Sequence, residues 1–231
     1  MKLSALERLR REIAARSAVD PRLAALVTRI AAIIGYDLRH EIRAVYQAEC
    51  RRWIEALGPP TLDVLEISAG AAWRSLPFRS YATMDFPRYD ICKDRLSGRF
   101  DLIIADQVFE HLLWPYRAAR NVFAMLKPGG HFLVMTPFLV RIHEVPVDCT
   151  RWTETGLSHF LAECGFPLAH IRTGAWGNRA SVRANFVTWA RVGWRRRFPN
   201  ETAWPLSVWA LAQKPTTLSS SDTEPIQDDR S

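Results

Sequence analysis

The sequence predicts an α/β protein with a doubly wound, mostly parallel central sheet. The stretch 64–67, apolar except for an acid at position 66, passes directly into very small residues at 68–72. This pattern is typical of a buried parallel strand followed by a tight turn that a ligand approaches closely. Two further apolar segments, 81–85 and 100–106, each end in an acid. A strand, a small-residue turn, a second strand and a terminal acid form the layout of a nucleotide-binding βαβ unit.

The composition is that of a folded domain without a membrane span. The chain has 231 residues, of which 48% are hydrophobic, and is long enough for one α/β domain with a sizeable core. No apolar run approaches the roughly 18 residues of a transmembrane helix, so no transmembrane segment is expected. The first residues lead into a charged periodic segment rather than a signal peptide. We therefore expect a cytoplasmic protein.

The charge balance is positive. Lys and Arg number 31 against 24 Asp and Glu, which gives a formal net charge of +7 and favours anionic partners in general. We expect a small-molecule or glycan substrate, which could be anionic, and no specific nucleic-acid partner. The four cysteines at 50, 92, 149 and 164 lack metal-ligand spacing, so we expect reduced thiols and no metal site.

A helical extension precedes the central domain. Apolar stripes predict helices at 3–17, 21–34 and 37–57, and a Gly-Pro-Pro sequence ends the third. This extension, residues 1–58, is expected either to cover the ligand and frame a substrate pocket, or to dock on the sheet or on a second subunit as a homodimer.

The central domain is expected over residues 59–215, and a disordered tail rich in Ser, Thr, Asp, Glu and Pro over 216–231. Within the domain, the pattern predicts helices at 154–165 and 178–194 and strands at 168–173 and 204–212. Only four residues separate Asp85 from Asp90, which is too short for a crossover helix. Either Asp90 begins a short third strand after a bare loop, or one element of the sheet is degenerate.

The first strand and turn resemble the first motif of class I S-adenosylmethionine-dependent methyltransferases, acid-x-Gly-x-Gly-x-Gly. In this chain Glu66, Ser68, Gly70 and Ala72 occupy those positions, so that only the middle glycine is kept. Ser and Ala are small, but neither tolerates a positive φ as Gly does.

The downstream segments follow the same family in order. Residues 100–106 resemble its fourth strand, Glu110 and His111 the acid–histidine pair that often follows that strand, and 121–130 the helix and turn before the fifth strand. The resemblance, to methyltransferases of type 11, implies a Rossmann-like sheet of seven strands and S-adenosyl-L-methionine as the cofactor.

The resemblance also assigns residues to the cofactor. Those expected to bind it are Glu66, Ser68, Gly70, Asp85, Asp90 and Asp106. Asp85 would accept hydrogen bonds from the ribose hydroxyls, and Asp90 from the adenine amino group, with Asp94 competing for the second role.

The loop 137–153 is the expected acceptor site, because it follows the fifth strand at the carboxyl edge where such folds bind substrates. Its pattern His-x-x-Pro-x-Asp-x-x-Arg-Trp-Thr resembles methyltransferases of polysaccharide and glycosylated-metabolite pathways. His143 is the first candidate for a general base and His111 the second, since the pKa of histidine suits proton transfer near neutrality.

Three neighbours of His143 in this loop would support the reaction. Asp148 could orient the histidine or bind a hydroxyl, Arg151 could hold an anionic group, and Trp152 could stack on a sugar or aromatic ring. The alternative is structural, with Asp148 and Arg151 as an ion pair that fixes the loop and His143 as a hydrogen-bonded loop residue.

The expected activity is therefore methylation of a hydroxyl on a sugar, glycoconjugate or small natural product. Three alternatives stay open: an N-methyltransferase of a small amine, a non-catalytic binding protein with the methyltransferase fold, and an RNA methyltransferase. The second is prompted by Ser68 and Ala72, and the third by basicity alone. The seven arginines between 172 and 197, interleaved with aromatic residues, fit either an anion-binding face or a solvated helix.

Overall fold

The computed structural model describes residues 37–70, 72–144, 146–186, 189–193 and 199–216, together with the single positions 20, 22, 26, 27, 29, 30 and 33. The first predicted helix and nearly all of the predicted tail lie outside the described residues. Of the second predicted helix only isolated positions are described, and those between 22 and 33 are helical.

A six-stranded sheet forms the centre of the described residues. Its strands lie in the spatial order β3-β2-β4-β5-β8-β6. They are β2 (Asp63–Ile67), β3 (Ser80–Met84), β4 (Phe100–Asp106), β5 (Leu126–Pro137), β6 (Ile171–Trp176) and β8 (Ser207–Gln213). The strands from β3 to β5 are parallel, and β8 runs antiparallel to both β5 and β6. The predicted mostly parallel α/β sheet is confirmed, with six strands instead of seven.

Helices cover both faces of this sheet. They are α1 (Glu41–Ala56), α2 (Pro115–Met125), α3 (Glu154–Glu163) and the short α4 (Arg179–Asn185). Leu65 and Ile103 join the hydrophobic cluster that contains α2 and α3, whereas Val64 and Leu102 join the cluster that contains α1. Successive strand residues thus face opposite layers, as the two-residue period of a strand requires.

The missing strand is the one after β3. Residues 85–99 form turns and irregular segments, because the chain between β3 and β4 is too short for an additional strand with a crossover connection of a dozen or more residues on each side. The connection instead folds back at the sheet edge, where Asp85 O accepts from Tyr89 N at 3.1 Å. The sequence left two alternatives here, a short third strand that begins at Asp90 or a degenerate element of the sheet. The structure shows the degenerate element.

Two predicted helices are partly strand. Residues 37–40 form β1 ahead of α1, and the helix predicted over 178–194 ends at Asn185 and is followed by β7 (Arg191–Gly193). The two short strands pair antiparallel. Glu41 ties this pair to α4, since its amide donates to Ala190 O at 3.0 Å and its carboxylate accepts from Ser181 Oγ at 2.7 Å. Long-range pairing has replaced the helical continuation.

An ionic network holds the amino ends of the central strands, away from the cavity. Lys127 Nζ lies 2.8 Å from both Asp63 Oδ2 and Asp101 Oδ2, and Arg79 Nε donates to Asp63 Oδ1 at 2.9 Å. All four cysteines are free thiols, with Cys50 and Cys164 buried and Cys149 exposed. No helix in the described ranges combines the length and apolarity that crossing a membrane requires.

Candidate functional site

A cavity of about 900 Å³ opens at the carboxyl ends of the parallel strands. Ser68 after β2, Met84 at the end of β3, Gln107 after β4 and Pro137 at the end of β5 all line it. This is the edge at which open α/β sheets bind ligands, because a crevice forms where the strand order reverses, here with β3 and β4 on opposite sides of β2.

The turn after β2 has a glycine-type backbone at a position that serine occupies. Ser68 adopts φ 53°, a left-handed conformation that is uncommon for residues other than glycine. Its amide donates to Met84 O at 3.0 Å, Ala69 N donates to Asp85 Oδ1 at 2.9 Å, and Gly70 N donates to Glu66 Oε1 at 2.8 Å. Hydrogen bonds from two neighbouring strands therefore hold the serine in this conformation.

Glu66 supports the turn from below. Its side chain is buried, it lies outside the cavity lining, and it also accepts a hydrogen bond from the Tyr81 hydroxyl. Burial raises the pKa of Glu66, against the hydrogen bond from Gly70. The structure thus uses this predicted cofactor residue to fix the turn, and Gly70 likewise lies outside the lining.

Asp85 and Asp90, the acids expected to bind the ribose and the adenine, differ in their position relative to the cavity. Asp85 is exposed at the end of β3, whereas Asp90 lies in the cavity wall, with Oδ1 accepting from Cys92 N at 2.9 Å and Oδ2 3.0 Å from Lys93 Nζ. Asp94 lies outside the lining, and its Oδ2 accepts from Asp90 N at 2.6 Å. Asp94 therefore supports Asp90 rather than taking its place.

Asp106 joins three elements instead of facing the cavity. Its carboxylate accepts from Tyr46 Oη at 2.7 Å, from Gln47 Nε2 at 3.3 Å and from Trp73 Nε1 at 3.1 Å. These donors come from α1 and from the segment after β2. The acid predicted to bind the cofactor is thus used to hold α1 against the sheet.

Glu110, His111 and His143 form a cluster in the cavity wall. Glu110 Oε1 lies 3.5 Å from His111 Nε2 and 4.0 Å from His143 Nε2. Both imidazoles line the cavity, while the Glu110 side chain is 0% exposed behind them. Burial raises the pKa of Glu110 to about 8. The structure therefore brings together the two predicted base candidates and Glu110, the acid of the predicted acid–histidine pair.

Asp148 and Arg151 fix the loop that carries His143. The Arg151 guanidinium donates twice to the Asp148 carboxylate, with Nη2 to Oδ2 at 2.6 Å, and these bonds lower the pKa of Asp148 to about 2. Asp148 Oδ2 also accepts from His143 N at 2.8 Å. Of the two alternatives for this pair, the geometry is that of the loop-fixing ion pair.

Trp152 belongs to the core. Its side chain is 8% exposed, and its ring centroid lies 5.1 Å from that of Phe160 on α3. Neither Trp152 nor Arg151 lines the cavity. The loop turns inward at this point because α3 begins directly after it, with Thr153 Oγ1 accepting from Gly156 N at 3.0 Å.

The comparison with known families matches this geometry. Residues 28–173, more than half of the chain, match the family described as "Methyltransferase domain". The chain belongs to this family. It is a class I S-adenosylmethionine-dependent methyltransferase, and the class, the α/β fold and the cofactor predicted from the sequence are confirmed.

Solved structures with this fold are distant in sequence. A methyltransferase from Archaeoglobus fulgidus described as SAM-dependent is 13% identical, covers 74% of this chain and 94% of its own, and has a TM-score of 0.50. A methyltransferase from Mesorhizobium loti is 15% identical, covers 71% of this chain and 96% of its own, and has a TM-score of 0.45. An N-methyltransferase from Bradyrhizobium japonicum in complex with S-adenosylhomocysteine is 17% identical, covers 76% and 89%, and has a TM-score of 0.49. A search of curated proteins gave no match.

The methyltransferase also has cavity residues that sequence reasoning missed. His40 and Trp189 reach the cavity through the β1–β7 pairing, and the Trp189 ring lies 5.5 Å from that of His143 and 4.4 Å from the Arg141 guanidinium. Gln107 lines it too, with φ 59° and a buried Nε2 that has no hydrogen-bond partner among the described residues. No local sequence pattern marks the pairing, but Gln107 directly follows the strand-ending acid and could have been proposed.

The arginine-rich segment of the methyltransferase is not one continuous cationic face where it is described. Arg172 stacks on the Trp53 ring, 4.3 Å from its centroid, and Arg179 pairs with Glu201 at 2.8 Å. Residues 194–198 lie outside the described part. Arg172 and Arg179 are thus held by contacts within the protein.

Proposed function

We propose that this methyltransferase methylates a hydroxyl oxygen of a small molecule or glycan, such as a sugar, a glycoconjugate or a natural product. The observation that supports this proposal is the Glu110–His111–His143 cluster in the cavity wall. An oxygen acceptor must lose its proton during transfer, so it needs a proton-accepting or charge-stabilising group beside it. Amines need such a group less.

The residues around the cavity fit S-adenosylmethionine. Ser68 and Gly70 of the turn are exposed, and Asp90 stands in the cavity wall for the adenine amino group. Asp85, which is exposed outside the cavity lining, has a second carboxylate oxygen for the ribose hydroxyls. Gln107, with its unpartnered buried amide nitrogen, would donate to a polar group of the cofactor. Glu66 and Asp106 would act through the turn and through α1.

The cofactor supplies an electrophilic methyl group, so that the acceptor oxygen gains a C–O bond while the C–S bond breaks toward sulfur, giving a methyl ether and S-adenosylhomocysteine. The hydroxyl proton leaves toward the cluster. Of its two imidazoles, His143 is our choice to face the acceptor, because its ring also adjoins Trp189 at the cavity wall.

Acceptor binding is assigned to two other residues of the cavity lining, Trp189 and Arg43. The half-buried Trp189 ring offers the stacking face that the sequence had assigned to Trp152, and Arg43, which lines the cavity, offers the positive charge assigned to Arg151. Aromatic faces and single cations at such positions suit sugar rings and anionic substituents.

The test is methyl transfer from isotope-labelled S-adenosylmethionine to a panel of sugars, glycans, phenols, amines and RNA, with products identified by mass spectrometry. We expect the label in a methyl ether. Label on nitrogen would overturn the choice of acceptor, and label on RNA that survives added salt would favour the RNA alternative. Absence of cofactor binding at millimolar concentration would favour the binding-protein alternative and overturn the proposal.

A further inference from the structure

The proton positions on His111 can be inferred from its hydrogen bond. His111 Nδ1 lies 2.6 Å from the carbonyl oxygen of Val147. A carbonyl only accepts, so Nδ1 must donate and carry the proton. In the neutral ring the lone pair is then on Nε2, the atom that faces Glu110 Oε1 at 3.5 Å.

The same reasoning applies to His143. Its Nδ1 lies 3.4 Å from Asp148 Oδ2. This distance is at the long limit for a hydrogen bond and the atoms are poorly aligned, so Nδ1 has no hydrogen-bond partner among the described residues. Asp148 is nevertheless paired with Arg151 as an anion, and an anionic carboxylate next to Nδ1 favours a proton on that nitrogen. The Nε2 lone pair of His143 therefore also faces Glu110, at 4.0 Å.

When Glu110 is ionised, three acceptors thus converge, and the described residues leave them without a hydrogen-bond donor. Both carboxylate oxygens of Glu110 are buried without a hydrogen-bond partner among the described side chains and backbone. Leaving a buried carboxylate unpaired is expensive, and such groups are normally paired, protonated or bound to a metal. The cluster is built to hold something positive.

The spacing suits a metal ion. One ligand atom from each residue lies within 4.8 Å of the other two, and ligands at Zn–N and Zn–O distances of about 2.0–2.2 Å around a tetrahedral ion are about 3.3 Å apart. The longest separation therefore has to shrink by at most about 1.5 Å, shared between two side chains. His111 Nδ1 donates to the Val147 carbonyl oxygen, and His143 Nδ1 lies 3.4 Å from an Asp148 carboxylate oxygen. Carbonyl and carboxylate oxygens beside the outer ring nitrogen are the usual means of orienting histidine ligands.

We propose that Glu110, His111 and His143 bind one divalent first-row transition-metal ion, for which Zn²⁺ is the probe. Two imidazoles and one carboxylate form a donor set that suits such ions. Both imidazoles line the cavity and the carboxylate lies behind them, so the ion keeps an open position toward the cavity. This is the arrangement of catalytic rather than structural sites.

This site refines the proposed function and rests on it for its role. An ion there would lower the pKa of an acceptor hydroxyl and allow it to lose its proton to solvent. His143 would then assist proton removal by holding the ion rather than by taking the proton itself. Binding of the ion, however, is independent of any acceptor and can be measured alone.

The experiment is a titration of the chelator-treated full-length protein, made without a histidine tag, with Zn²⁺ by calorimetry and with Co²⁺ by visible absorption. We expect one ion per chain, and binding about 100-fold weaker or undetectable in Glu110→Gln and His143→Ala. Asp148→Asn removes the anionic group beside His143 Nδ1 and weakens the loop-fixing pair with Arg151, and it should weaken binding by about 10–100-fold. His159→Ala, an exposed histidine on α3, is the matched control and should bind as wild type.

The effect of Zn²⁺ on thermal unfolding gives a second measure of metal binding, which also applies to a variant that folds poorly. Zn²⁺ should raise the Tm of wild type and of His159→Ala, and leave that of the ligand variants unchanged, because only the native site binds it. Wild type that binds no Zn²⁺ or Co²⁺, or binding that persists in all three ligand-side variants, would overturn the site. S-adenosylmethionine titrated into the chelated protein separates the two proposals, since cofactor binding without metal binding would overturn only the metal site.

Discussion

The imidazole rings of His111 and His143 meet edge to face, with centroids 5.0 Å apart and planes at 83°. One follows β4 and the other follows β5, and these strands are parallel neighbours. Their following loops therefore end at the same edge of the sheet, although the residues lie far apart in the chain. The chemistry that we assign to this protein depends on that meeting.

Asp85→Ala should weaken S-adenosylmethionine binding by about tenfold or more. Hydrogen bonds to a charged group contribute roughly 1.5–3 kcal/mol each, and Asp85 would lose its bond to Ala69 N together with those to the ribose. Isothermal calorimetry measures the change. Glu163→Ala, an exposed change on α3, is the control, and equal affinities for the two variants would argue against the assignment.

Substitution of Ser68 should separate backbone strain from side-chain chemistry. Ser68→Val places a β-branched residue at φ 53° and should destabilise the fold by about 1–3 kcal/mol. Ser68→Gly accepts this conformation and should leave the free energy of unfolding nearly unchanged. Urea unfolding of the two variants is the measurement. If valine were tolerated as well as glycine, the turn would not be held as we describe.

The two tryptophans should respond in opposite ways. Trp152→Ala opens a cavity in the core beside Phe160 and should cost about 3–5 kcal/mol of stability. Trp189→Ala, at the half-buried cavity wall, should cost less and instead raise the KM for the acceptor. Denaturant unfolding and steady-state kinetics of both variants are compared, and a KM effect in a stable Trp152→Ala would restore the stacking role predicted from the sequence.

Acid should remove the contribution that the ionic network at the amino ends of the strands makes to the free energy of unfolding. Hydrogen bonds from Arg79 and Lys127 hold the pKa of Asp63 well below its ordinary value. A carboxyl group whose pKa is lower in the folded than in the unfolded protein stabilises the fold at pH values above the pKa of the unfolded aspartate, about 3.9. This stabilisation is lost progressively as the pH falls below that value. Asp63→Asn should therefore be less stable than wild type at pH 6, and the difference should shrink toward pH 3. A difference independent of pH would contradict the pairing.

Much of the nucleotide-binding half could be predicted because its signals are local. A buried run that ends at Glu66, a turn of small residues and an acid at Asp85 each follow from a few adjacent residues, and a parallel sheet then fixes where they meet. The loop with His143 was placed at the right edge for the same reason.

The errors arose where distant pairing decides the outcome. Periodicity alone continued the helix beyond Asn185, whereas β7 pairs with β1 at the other end of the chain. Asp106 and Trp152 have the residue types of a binding site, but tertiary contacts with Tyr46 and Phe160 use them for packing. Neither the direction of a side chain nor the partner of a short strand is set by adjacent sequence.

The turnover of His143→Ala, measured beside its affinity for S-adenosylmethionine, tests the central claim most directly. The acceptor that reacts best in the labelled panel serves as substrate, and His159→Ala is the control. We predict a turnover rate about 10²–10⁴-fold lower, the usual weight of a group that assists proton removal, with cofactor affinity nearly unchanged, whether His143 takes the proton or holds the ion. A His143→Ala enzyme with near-normal turnover would contradict the assignment of this cluster to the acceptor side.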